Sequence, residues 1–195
     1  MVSRPHLRQF QTRPDLHPGQ RSGGDESRRE ADKSRGVITL EFILVLPVLL
    51  VATLAVFEFG FLVLVNEAVT AASLRGAREA AKIGTTPDEV AETVQKYLAV
   101  HNITFTTDGT NNSDPARVTI EGALVASDPD MGERGNTSIP CTPKGPSIAA
   151  NEVRVTVCVN VTDSTGMTPV PDLLSTFGFS LQGHVYESST RTEIE

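Results

Sequence analysis

Tryptophan is absent and aromatic residues make up only 5% of the 195-residue chain, so any core must be built from Val, Ile, Leu, Ala and the few Phe and Tyr side chains. That composition suits a long helix or a small sheet better than a broad ligand pocket. Histidine is scarce and scattered, at His6, His17, His101 and His184, with no spacing that would gather metal ligands. No phosphate loop, dinucleotide fingerprint or nucleophile elbow occurs, and Gly76 and Gly84 read as helix-end residues. Asp108, Asp114, Asp128 and Asp130 lack the ordered spacing of a calcium loop and read as solvated turns. No catalytic, cofactor-binding or metal-binding residue is therefore expected, and the chain is not read as an enzyme.

What is present is strongly asymmetric. Residues 1–36 hold eight Lys and Arg against five Asp and Glu, whereas the whole chain carries a net charge of -7. The arm is rich in Arg, Ser, Gly, Gln, Pro and Asp without apolar periodicity, which predicts disorder. It lacks interleaved aromatics and the rest of the chain is acidic, so a nucleic-acid partner is not expected. A basic arm directly before an apolar run reads instead as the cytoplasmic flank of a membrane helix.

That run is Val37–Val65, interrupted by charge only at Glu41 and Glu58. At about 1.5 Å per residue it is long enough to cross a hydrocarbon core of roughly 30 Å. A soluble helix of this length would show a polar face, and residues 42–57 have none. A cleaved secretory signal is the rival reading, but its apolar region would span only about 7 to 15 residues near the chain start.

Residues 66–84 are Ala-rich and predict a helical extension of the span. Thr86-Pro87-Asp88-Glu89 then offers a capping box with Pro in the first helical position, and Val90, Val94, Tyr97 and Leu98 recur at helical spacing. Beyond Val100 the pattern alternates, predicting strands at Ile103–Thr106, Arg117–Glu121 and Val153–Val161 and a last strand within Phe179–Thr192. Turns are expected at 108–112 and 128–130, and a short helical turn within Pro169–Phe177. The expected fold is α+β. A transmembrane helix at 37–65 and its extension at 66–84 lead into a small antiparallel-sheet domain with one short helix at 85–195.

Cys141 and Cys158 both fall in the segment placed outside the cytoplasm, where an oxidising compartment favours one disulfide over two free thiols. Glu58 lies about 31 Å along the helix axis from Val37, near the opposite interface where solvation makes a carboxylate cheap; a subunit contact is the alternative.

Arg35-Gly36-Val37-Ile38-Thr39-Leu40-Glu41-Phe42, the run through Leu46-Pro47, Phe57-Glu58-Phe59-Gly60 and Arg75-Gly76-Ala77-Arg78-Glu79-Ala80-Ala81, in this order and spacing, resemble the TadE-like family of tight-adherence pilus assembly proteins. The resemblance implies a pilin-like minor pilin or pseudopilin of a bacterial inner membrane, with the N-terminus cytoplasmic and the C-terminal domain periplasmic or extracellular. It implies a prepilin peptidase that cuts between Gly36 and Val37, and other pilin-like subunits and pilus assembly machinery as partners. It also places Glu41 fifth in the mature chain, with Phe42 and Glu58 beside it as assembly residues. Independently of the family, an intramembrane carboxylate needs a partner, and an amine freed at Val37 would supply one to Glu41. The competing readings are an uncleaved anchored binding or scaffold protein and a membrane-tethered exported hydrolase.

Overall fold

A computed structural model describes residues 23–122, 132–143, 145–164 and 169–194, with side chains from residue 39 onward. The turn expected at 128–130 and residues 1–22 of the arm lie outside the described residues. The chain divides into two compact units, residues 1–48 and 49–195, joined within a single helix.

That helix, α1, runs Gly23–Ala80 and is continuous across Pro47. Residues 23–36, which the sequence assigns to disorder, are therefore helical. Half of that stretch is Glu, Arg, Ala and Lys, and once an apolar segment has nucleated a helix each added residue brings a hydrogen bond that offsets its ordering. The Ala-rich stretch after Val65 extends α1, as expected, to Ala80.

The second unit contains the C-terminal part of α1, helix α2 (Pro87–Leu98) and four strands: β1 (Ala116–Gly122), β2 (Glu133–Gly135), β3 (Glu152–Asn160) and β4 (Val185–Glu193). The chain reverses at Gly84, whose φ of +84° is readily reached only without a side chain. Helix α2 then begins with the anticipated capping box. The Glu89 N–H donates to Thr86 Oγ1 and the Thr86 N–H donates to Glu89 Oε2. Its buried face is Val90, Ala91, Val94 and Leu98; Tyr97, expected on that face, is 37% exposed and lies under the Arg75 guanidinium, 5.7 Å from the ring centre.

All strand pairings are antiparallel, in the order β2-β1-β3-β4. The strands predicted around 117–121, 153–161 and 179–192 are present as β1, β3 and β4. Residues 103–106 form no strand. Ile103 and Phe105 are buried as an irregular segment following α2, so their alternation with Thr reflects insertion into the core rather than pairing in the sheet.

Strand β3 is buried along almost its whole length, on both faces. Val153, Val155, Val157 and Val159 join α1 and α2 in the core, together with Val118 and Ile120 of β1. Arg154, Thr156 and Cys158 alternate with them and occupy the opposite face, where Cys158 is bonded to Cys141. Arg154 makes an ion pair with Glu121 at 3.1 Å, and Thr156 shares a hydroxyl hydrogen bond with Ser189 at 2.9 Å. A strand that reads as half-solvated in sequence is thus covered twice.

Gly76 corrects a further expectation. It is not a helix-end residue but lies inside α1 where the helix meets α2 and the sheet. A Cβ there would stand 2.6 Å from Val94 Cγ2 and 3.1 Å from Val155 Cγ1, two branched side chains with little freedom to retreat.

Candidate functional site

The apolar helix is the first candidate. A span of 42 residues, Thr39–Ala80, includes a window of mean hydropathy 2.6 that none of the described residues buries. Large side chains such as Phe42, Leu44, Val48, Val56 and Phe59 are 62–72% exposed, an arrangement that water penalises and a bilayer accepts. One long apolar helix of this kind fits a single-pass membrane protein.

Gly36 and Val37 both fall within α1, and their junction is helical backbone. Glu41 and Phe42 stand on the exposed surface of α1, so the Glu41 carboxylate is available to a partner outside the chain.

Glu58 departs from the solvated position expected of it. It is 4% exposed, and its Oε2 accepts a hydrogen bond from the backbone N–H of Leu174 at 3.1 Å. The reason lies in the helix stripe. Glu58, Leu62, Val65, Val69, Ala72, Gly76 and Ala80 recur at intervals of three or four residues and form the face by which α1 joins the second unit. That spacing was present in the sequence and would have placed Glu58 inside. Higher on the same face, Ser73 is fully buried and its hydroxyl lies 2.8 Å from Ser188 Oγ and 3.0 Å from Thr190 Oγ1 of β4. This hydroxyl cluster, which ties the helix to β4, was not anticipated.

Glu58 makes a testable contact. Glu58→Ala removes the acceptor and leaves a partly buried N–H unpaired, at a cost of about 1 to 3 kcal/mol, whereas Glu58→Gln keeps an oxygen in place. The expected result is amide exchange at Leu174 accelerated about tenfold or more in the Ala variant and little changed in the Gln variant, measured by hydrogen exchange in detergent micelles.

The segment that meets Glu58 runs from Val170 to Leu181 and contains a 3-10 turn at Ser175–Phe177. Asp172, 8% exposed, organises it. Its Oδ2 accepts from Ser180 Oγ at 2.8 Å and from the Leu181 N–H at 3.2 Å, while its carbonyl accepts from Ser175 Oγ. Beside it, Leu62, Val161, Leu181, His184, Val185 and Tyr186 line a cavity of about 230 Å³, smaller than pockets that enclose drug-sized ligands. Burial pushes the Tyr186 phenol above its ordinary value.

Cys141 and Cys158 are disulfide-bonded, with Cα atoms 5.8 Å apart. Among the described residues no three His, Cys, Asp or Glu side chains converge as a metal site.

Residues 36–78 match the family model described as TadE-like protein. No curated protein and no solved structure matches the chain. The matched segment covers the Gly36–Val37 junction, Glu41, Phe42, Glu58 and the first part of the helix face that docks on the sheet.

Proposed function

We propose that this protein is a pilin-like component of a tight-adherence pilus assembly system, held in the bacterial inner membrane by α1 with its sheet domain on the periplasmic side. The observation that carries this reading is the coincidence of the TadE-like match at residues 36–78 with an apolar helix that the other described residues leave uncovered.

In this reading the surplus of positive charge in residues 1–36 keeps the arm cytoplasmic, and a prepilin peptidase removes it between Gly36 and Val37. The reaction frees an α-amine at Val37. Glu41, four residues on along one helix face, pairs with that amine or with the amine of a neighbouring pilin-like subunit. A charged pair has a lower cost in the bilayer than either ion alone, so the pairing favours association of helices in register. The protein acts through binding and assembly rather than through catalysis, and it needs no cofactor.

The test is genetic and structural. Deleting the coding sequence from its host should abolish surface pili and pilus-dependent attachment, with both restored by the intact chain. Normal pili and attachment in the deletion strain would remove the reading.

A further inference from the structure

The contact between Glu58 and the Val170–Leu181 segment has a consequence for where the bilayer ends. Past Glu58, Phe59, Phe61, Val63 and Leu64 still present apolar side chains 40–67% exposed, before the exposed Asn66 and Glu67. Asn66 lies about 12 Å farther along the axis than Glu58 at 1.5 Å per residue. A lipid boundary that covers those four side chains therefore lies beyond Glu58. The loop bonded to Glu58 lies at or below that same boundary.

The chemistry of the loop agrees with such a position. Apart from the buried Asp172, residues Val170 to Gly183 include no Asp, Glu, Lys, Arg or His, although charged residues make up 21% of the chain. Phe177 and Phe179 are 48% and 66% exposed. Several of its backbone N–H groups are paired. The N–H groups of Phe177 and Phe179 both donate to the Leu174 carbonyl, that of Gly178 donates to Ser175, that of Leu174 to Glu58 and that of Leu181 to Asp172. Pairing of this kind lowers the cost of placing irregular backbone at the edge of a bilayer.

We infer that the Val170–Leu181 loop is a second membrane-contacting element, which inserts Phe177 and Phe179 into the lipid interface beside α1 and seals Glu58 from both lipid and water. The occupant is the bilayer, because the loop is bonded through Leu174 to Glu58, which lies inside the apolar run of the helix. This rests on α1 crossing the membrane. The domain would thereby be held close against the bilayer rather than free on a tether, with its orientation set by two contacts.

The absence of tryptophan makes single reporters clean. The full chain is reconstituted in phosphatidylcholine vesicles containing lipids brominated at shallow or deep acyl positions, with Phe177→Trp, Phe179→Trp, Leu50→Trp and Val100→Trp as separate variants. Val100 is 80% exposed at the end of α2 and serves as the aqueous reference. The expected result is blue-shifted emission from both loop variants, quenched by shallow bromines several-fold more than Val100→Trp, with Leu50→Trp quenched chiefly by deep bromines. Quenching of Leu50→Trp with both loop reporters unquenched overturns the loop inference and leaves the span intact. Blue-shifted loop emission that bromines do not reach marks a protein partner and also overturns it. An unquenched Leu50→Trp removes the membrane span itself.

Discussion

Gly36→Leu is expected to leave a full-length species in the membrane, Glu41→Gln to yield a shortened one, and both to lose pilus-dependent attachment. The two residues are separated by little more than one helical turn, yet the chemistry asked of each is different. A peptidase must bring its catalytic groups close to the backbone on either side of the scissile bond, and glycine is the residue that permits the closest approach. A branched side chain at position 36 blocks that approach without altering the apolar run that holds the chain in the membrane.

In the proposed function Glu41 acts one step later. Gln preserves the shape of the side chain and its ability to accept a hydrogen bond, but it removes the charge that pairs with the Val37 amine, and charge-assisted bonds are roughly twice as strong as neutral ones. In a low-dielectric setting that difference separates an assembled subunit from a free one. Immunoblotting of membrane fractions distinguishes the two species by size, and a surface-attachment assay reads the common loss. Normal attachment with Glu41→Gln would show that the carboxylate has no assembly role. Glu58 supplies the contrast: its carboxylate is already engaged by Leu174, so the corresponding Gln substitution should be tolerated.

The second large effect concerns the disulfide. Cys158 is fully buried on the face of β3 away from the helices, and Cys141 ties to it the segment that covers that face. The bond closes a loop across 17 positions of sequence, and constraining a loop of that size in the unfolded chain contributes about 3 kcal/mol. Replacing both cysteines with serine should therefore lower the melting temperature of the sheet domain by on the order of 15 °C. Burying a serine hydroxyl in place of the bonded sulfur adds to the loss. Non-reducing mass spectrometry of the extracted protein should recover the two peptides linked. Full alkylation of both thiols without reductant, or an unchanged melting temperature in the double variant, would contradict this role.

Sequence patterns made much of this molecule legible where a local rule had a single solution. The Thr86–Glu89 box sets the start of α2, the length of the apolar run sets the nature of α1, and alternating β-branched residues mark β1 and β3. What escaped were features decided by neighbours distant in sequence. Ile103–Thr106 alternates like a strand, but it pairs with no described strand and the core takes its two apolar side chains directly. Tyr97 has helical spacing but rests under Arg75. Gly76 is small because Val94 and Val155 converge on it from α2 and β3.

Glu58 is the most instructive case. Position along the helix axis suggested a solvated carboxylate, whereas position around the axis places it on the face that docks, and docking supplies the N–H that makes burial tolerable. The stripe from Glu58 to Ala80 was readable; the loop that meets it, more than a hundred residues later, was not.

The pilin-like account stands or falls on whether the arm is removed at one defined bond. N-terminal sequencing of the wild-type protein purified from its own host membrane tests this directly. The account predicts a mature chain that begins Val37-Ile38-Thr39-Leu40-Glu41, with a free amine four residues before the carboxylate. A chain that retains Gly36 and the basic residues before it would contradict the account and leave an uncleaved anchored domain in its place.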